Sequence, residues 1–285
     1  MIRIVTDSGA NLPRDIVEEF QIESLPASIT FDGETIRETD LTSAEFYRRL
    51  ATSKSLPMAR DASVKDFTDV YAKVAAESPN ATILSIHVAE TLATTISAAR
   101  QAAAMRASTA IRLFDTQSVS FGQGLMVWEA ARMAKADASV ADILTRLAIM
   151  RERTQVFFLV DTLEYLAKGG RVGPVARLVG GLLSVKPILT VKEGTVVSHS
   201  QYRTRARAMA ELTQYTLAKC EGADGLRMGV MHAICEEDAQ QMADEFRKKL
   251  QPEALTIAEI GPAVGASTGP KAIGVTWFAP PKNAS

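Results

Sequence analysis

Three aspartates stand where short β-prone runs end: Asp7 after Ile2 to Val5, Asp115 after Ala110 to Phe114, and Asp161 after Val156 to Val160. Carboxylates at strand ends can serve as general bases or bind a cation. They are equally ordinary caps for the turn that follows, as is Ser8 beside Asp7. The glycine-rich run GPAVGASTGPKAIGV, Gly261 to Val275, invites a phosphate-loop reading. The Walker spacing GxxxxGK[ST] is absent, however, and Lys271 follows Pro270. Gly122 and Gly124 form a lone Gly-x-Gly without the third glycine and later acidic residue of a dinucleotide loop. No G-x-S-x-G elbow is present. His87, His199 and His232 are scattered, with no H-E-x-x-H pattern, and Cys220 and Cys235 are no close pair. Neither a structural metal nor a disulfide framework is expected.

The elements that must position these residues follow from apolar periodicity. Ile2 to Val5, Leu25 to Phe31, Thr82 to Val88 and Ala110 to Phe114 read as buried strands, and the segments between them as helices. Strand, polar tip, helix is the alternation of a parallel sheet, whose ligands bind outside the carboxyl ends of the strands. Asp32-Gly33 signals a hairpin. Thr42 with Glu45 predicts a capping box, the helix Val64 to Glu77 follows a loop over Ser55 to Ser63, and Gln201 to Lys219 reads as a helix. The stretch Asp161 to Leu189 reads as a short helix stopped by Gly169 and Gly170, then a second helix opened by Pro174 with Val175, Leu178, Val179 and Leu182 on one side.

With 285 residues, 47% hydrophobic and 23% charged, the composition is that of a soluble globular chain of one large or two ordinary domains. A net charge of −1 supplies no basic excess for nucleic acid or an anionic membrane. No apolar run is long enough to span a bilayer and the start lacks the pattern of a signal peptide, so the expected location is the cytoplasm.

In the stretch after Val160, Thr162, Leu163, Tyr165, Leu166, Gly169, Gly170, Arg171, Lys186, Pro187, Ile188 and Leu189 together resemble the signature of the DegV family, bacterial fatty-acid-binding proteins of two α/β lobes. The opening Thr-Asp-Ser with Leu12-Pro13, and Gly261, Pro262, Gly265, Thr268, Gly269 and Pro270 near the end, extend the resemblance over nearly the whole chain. It implies an α/β architecture: an N-terminal lobe (1–155) on a doubly wound parallel sheet, a C-terminal lobe (156–285) on a mixed sheet, and a ligand cleft between them.

The resemblance also implies a site. In the family, a Thr of a Pro-x-Thr-Ser-Gln-Pro-Ser loop, a Ser at a helix start and a His in the last glycine-rich motif hold the fatty-acid carboxylate. The corresponding positions here are Ala59, Ala93 and Ser267. Arg60, Thr94, Thr95, Thr268 and the helix-start amides are the candidates to replace the missing groups. Arg171 and Arg203 are the implied contacts of a separate kinase that phosphorylates the bound fatty acid. The leading expectation is a non-catalytic carrier with a fatty acid or similar lipid as ligand and no cofactor. The alternatives are a relative that takes another apolar ligand or has lost its site, and an enzyme that uses the strand-end aspartates.

Overall fold

A computed structural model of the chain describes residues 1–170, 175 and 185–281. Of the predicted second helix in the opening signature, only Val175 is among them, buried in the core. Pro174, Leu178, Val179, Leu182 and Arg171 lie outside the described residues.

The N-terminal part is built on a four-stranded parallel sheet in the order β2 (Glu23–Leu25), β1 (Ile2–Asp7), β6 (Thr82–His87), β7 (Ile111–Asp115). Its strands alternate with α1 (Arg14–Glu19), α3 (Val64–Glu77) and α4 (Thr95–Ala104), as the apolar runs predict. A small antiparallel sheet stands apart from it: β4 (Glu34–Arg37), β3 (Ser28–Phe31), β5 (Met58–Arg60). The β3–β4 hairpin turns at Asp32 and Gly33, both with positive φ, as a tight I′-like turn requires. β5 falls within the segment predicted to be a loop. It pairs only three residues along β3, too short a run for a periodicity signal.

The second part is a mixed six-stranded sheet in the order β10 (Thr195–Tyr202), β9 (Lys186–Lys192), β8 (Gln155–Leu159), β13 (Ile273–Phe278), β11 (Arg227–His232), β12 (Ala254–Glu259). Only β11 and β12 run parallel; the other neighbours are antiparallel. α8 (Arg205–Cys220) and α9 (Glu236–Leu250) pack on one face. α8 begins later than predicted, because Gln201 and Tyr202 finish β10 and Thr204 caps the helix by accepting from the Arg207 amide.

α5 (Phe121–Lys135) lies between the two sheets and is buried along most of its length. The glycines that suggested a weak nucleotide motif belong to this packing. A Cβ on Gly122 would sit 2.4 Å from Val156 Cγ2, and one on Gly229 of β11 2.2 Å from the Phe121 ring. These glycines let the helix approach the second sheet closely, and one core cluster joins residues of both sheets through α5. α6 (Val140–Arg153) packs beside it.

Glu129 on α5 fixes this junction. Its carboxylate accepts from Arg132 and Arg146 and from Arg227 on β11, and Arg227 also reaches Glu253. Burial pushes the Glu129 carboxyl up, but the three guanidinium groups outweigh burial and hold it below its ordinary range.

Two short helices complete the frame. α7 (Glu164–Lys168) follows β8 and is stopped by Gly170, which takes positive φ; Gly169 keeps right-handed geometry, so one glycine rather than two makes the left-handed stop. α10 (Pro262–Thr268) arises within the glycine-rich run, opened by Pro262. Gly265 brings α10 against α2 (Ser43–Thr52), where an added Cβ would lie 2.6 Å from the Tyr47 hydroxyl oxygen. Tyr47 donates to Ile260 O (2.9 Å), and Glu38 accepts from the Ala263 amide (3.0 Å). The last glycine-rich run therefore forms a docked helix rather than a phosphate loop. Thr42 accepts from the Glu45 amide at the start of α2, but the Glu45 side chain turns to Arg49, so only half of the predicted box forms. Ser63 and Asp66 make the complete reciprocal box, at the start of α3.

Candidate functional site

The carboxyl ends of the parallel strands face α7 and α10 across a cavity. Asp7 at the end of β1, Leu25 at the end of β2 and Val88 just past β6 form one wall. Phe158, Leu166, Val196, Val264, Ser267 and Thr268 form the opposite wall, and Ala93 and Thr95 at the start of α4 close one side. The cavity has a volume of about 90 Å³ and opens to solvent. The lining is mainly apolar with a few polar groups, as in ordinary small-molecule sites. Its position outside the carboxyl edge of a parallel sheet is the one the strand alternation predicts.

Asp7 is saturated by its own chain. It accepts from the Gly9 amide (3.1 Å), the Val88 amide (3.3 Å) and Gln123 Nε2 (3.1 Å), and pairs with His87 Nδ1 (2.9 Å). His87 Nε2 lies 2.6 Å from Ser85 Oγ, which in turn shares a 2.8 Å bond with the Tyr71 hydroxyl. Ser85, His87 and Asp7 thus stand in the hydrogen-bonded order of a hydrolytic triad. Ser85 and His87 are nevertheless fully buried, with Phe67 edge-on to the His87 ring, and neither lines the cavity. Burial also pushes the Tyr71 hydroxyl up to about 12, against the bond from Ser85. The arrangement is a buried relay that anchors Asp7.

The other strand-end aspartates do not join Asp7 in lining the cavity. Asp115 accepts from the Gln117 amide as a turn cap. Asp161 pairs with Lys186 (3.2 Å) and Arg205 (3.6 Å).

Asp61, between β5 and α3, also lines the cavity and is not among the residues expected there from the sequence. Its Oδ2 accepts from both the Thr94 amide and the Thr94 hydroxyl, each at 2.7 Å, at the start of α4. The residues expected at the site divide accordingly. Ala93, Thr95, Ser267 and Thr268 line the cavity. Ala59 lines an adjoining opening that shares Ser267 and carries Lys54, Tyr165 and Lys168. Thr94 is exposed and engaged by Asp61; Arg60 is exposed and is not among the described lining residues. Arg203 is exposed on the bend before α8, not within that helix. Asp61 carried no signal of its own, since a polar loop residue 33 positions from its partner is unremarkable in sequence.

Fold and cavity define an α/β protein of two large sheets and one small one, with a mainly apolar site between the parallel sheet and α7 and α10. The chain belongs to the DegV family: the sequence model of that family, described as uncharacterised proteins, matches residues 1–280. The DegV domain-containing protein YejH of Lactococcus lactis is 35% identical over 274 residues, 95% of this chain and 96% of that protein. Protein DegV of Bacillus subtilis is 30% identical over 280 residues, 97% and 98% of the two chains. Among solved structures, a DegV family protein from Thermus thermophilus described as binding fatty acid superposes with a TM-score of 0.91 at 28% identity, covering 98% of this chain and 99% of that one. DegV of Bacillus subtilis, described as a fatty acid binding protein, superposes with a TM-score of 0.87 at 28% identity and the same coverage. No described helix is long and apolar enough to cross a membrane.

Proposed function

We propose that this chain is a non-catalytic carrier that holds one fatty acid or similar single-chain lipid in the cavity between its two lobes, 1–155 and 156–285. The carrying observation is the cavity's place and lining: Leu25, Val88, Phe158, Leu166, Val196 and Val264 give it apolar walls at the carboxyl edge of the parallel sheet. An alkyl chain placed there gains about 0.8 kcal/mol per buried CH₂. The relatives of known structure that are described as fatty acid binding support the same ligand class. An open cavity supports a carrier over a relative whose site has closed. The cytoplasm is the proposed location.

The test is retention after incubation with hexadecanoic acid or 1-hexadecanol and removal of free lipid. Wild type is expected to retain lipid, and Ala93→Trp, which fills the cavity, to retain none while still unfolding cooperatively. Equal retention by both proteins would place the ligand elsewhere.

The carrier reading extends to a kinase partner acting on the bound lipid, with Arg171 and Arg203 as its contacts. Arg203 is exposed and makes no hydrogen bond or ion pair with another described residue. Arg203→Ala is expected to lower kinase-coupled turnover with retention unchanged. Lost retention would refute the partner role.

A further inference from the structure

A second cavity, of about 590 Å³, shares no lining residue with the apolar one. It opens where the segment after β7 and the end of α6 meet β8 and β9. Its volume lies within the roughly 300–1,000 Å³ of ordinary small-molecule sites. Its lining is polar: Gln117 and Gln155 offer amides, Thr154 a hydroxyl, Arg151 and Lys192 cations.

Two of these groups lack the partners that such groups ordinarily have. Arg151, in the last turn of α6, is half-buried and lies over the Phe114 ring (5.2 Å to the centroid). It donates to Asp115 O at 3.5 Å and forms no ion pair with a described residue. Arg146 on the same helix is paired with Glu129 at 2.9 Å. A guanidinium carries five donors in a planar fork, so most of those of Arg151 are unused. Thr154 Oγ1 is buried without a hydrogen-bond partner. Buried polar atoms are ordinarily paired, so one on the wall of a polar cavity points to a polar ligand atom there.

The remaining charges lie at the rim. Lys192, Glu152 and Glu193 are exposed lining residues with no hydrogen bond or ion pair to a described residue. Two cations suit a phosphate monoester, which carries close to two negative charges at neutral pH, and the fork of an arginine matches phosphate oxygens in pairs. The two carboxylates and the free carbonyls that end α6 can only accept, so they call for donors on the same ligand.

We propose that this cavity binds a small phosphorylated polyol of the sugar-phosphate class. Arg151 and Lys192 hold the phosphate, Thr154 adds a hydroxyl contact, and Glu152 and Glu193 accept from the ligand's hydroxyls. The site is independent of the lipid-carrier reading.

The test is titration calorimetry on the full chain in phosphate-free buffer, with glucose 6-phosphate, orthophosphate and glucose as probes. Glucose 6-phosphate is expected to bind with a Kd below about 1 mM, orthophosphate about tenfold more weakly, and glucose not at all. Arg151→Met keeps an apolar stem over Phe114 and removes the guanidinium; binding is expected to weaken about tenfold or more. Thr154→Val removes the unpaired hydroxyl; binding is expected to weaken while the urea midpoint stays the same or rises. No heat from glucose 6-phosphate would overturn the proposal, as would equal binding by wild type and Arg151→Met. Orthophosphate binding as tightly as the ester would overturn the contacts to the ligand's hydroxyls. A lower urea midpoint in Thr154→Val would overturn the role of that hydroxyl, by showing that the protein itself uses it.

Discussion

Two carboxylates line the same cavity and have opposite characters. Asp7, on the strand side, is bound by two backbone amides, Gln123 and His87, and nearly all of its accepting capacity is used. Asp61, on the loop side, is half-buried and holds only the amide and hydroxyl of Thr94. The difference separates framework from site. A carboxylate that its own chain saturates fixes a wall, whereas one with free lone pairs toward a cavity is available to whatever enters.

The contrast breaks most visibly at Asp7. Asp7→Ala leaves the buried His87 and Gln123 and two amides without their acceptor. A loss of about 3–5 kcal/mol is expected, as when one partner of a buried pair is removed. The check is a lower urea midpoint at unchanged slope; a change below about 1 kcal/mol would show that the relay is not structural.

A second effect sharpens the account of the junction behind the cavity. The Glu129 carboxyl is held lower in the folded protein than in the unfolded chain, where it titrates near 4.5. Its stabilising contribution is therefore fully present above that value and is lost as the pH falls through the lower folded value. Unfolding free energy measured from pH 7 to pH 3 is expected to show an acid limb that is shallower in Glu129→Gln, a variant already less stable at pH 7.

The smallest stability effect is expected at Asp61. Asp61→Asn retains an acceptor for Thr94 at a partly exposed position, so a change within about 0.5–1 kcal/mol is expected in the same urea titration. A loss as large as that of Asp7→Ala would make Asp61 framework too and remove the distinction.

The sequence shows the framework more readily than the site. The parallel strands and most helices announce themselves through apolar runs and caps, and α3 runs from Val64 to Glu77 as its pattern predicts. β5 was hidden because three residues pairing along another strand have no period of their own. α10 was hidden because its glycines read as loop, although Gly265 serves close contact with Tyr47. The site depends on pairs distant in sequence. Asp7 and His87 lie 80 positions apart and Tyr47 and Ile260 lie 213 apart, so neither spacing nor composition can reveal them. Ala93 and Ser267 were reachable through family resemblance, but Asp61 was not, because what matters is the cavity it faces.

The most direct measurement is mass spectrometry of a solvent extract from protein purified without added lipid, followed by an uptake assay on the delipidated chain. The account predicts about one single-chain lipid per protein chain in the extract and its re-uptake afterwards. An empty extract together with no uptake of hexadecanoic acid, 1-hexadecanol or 1-hexadecanoylglycerol would contradict it.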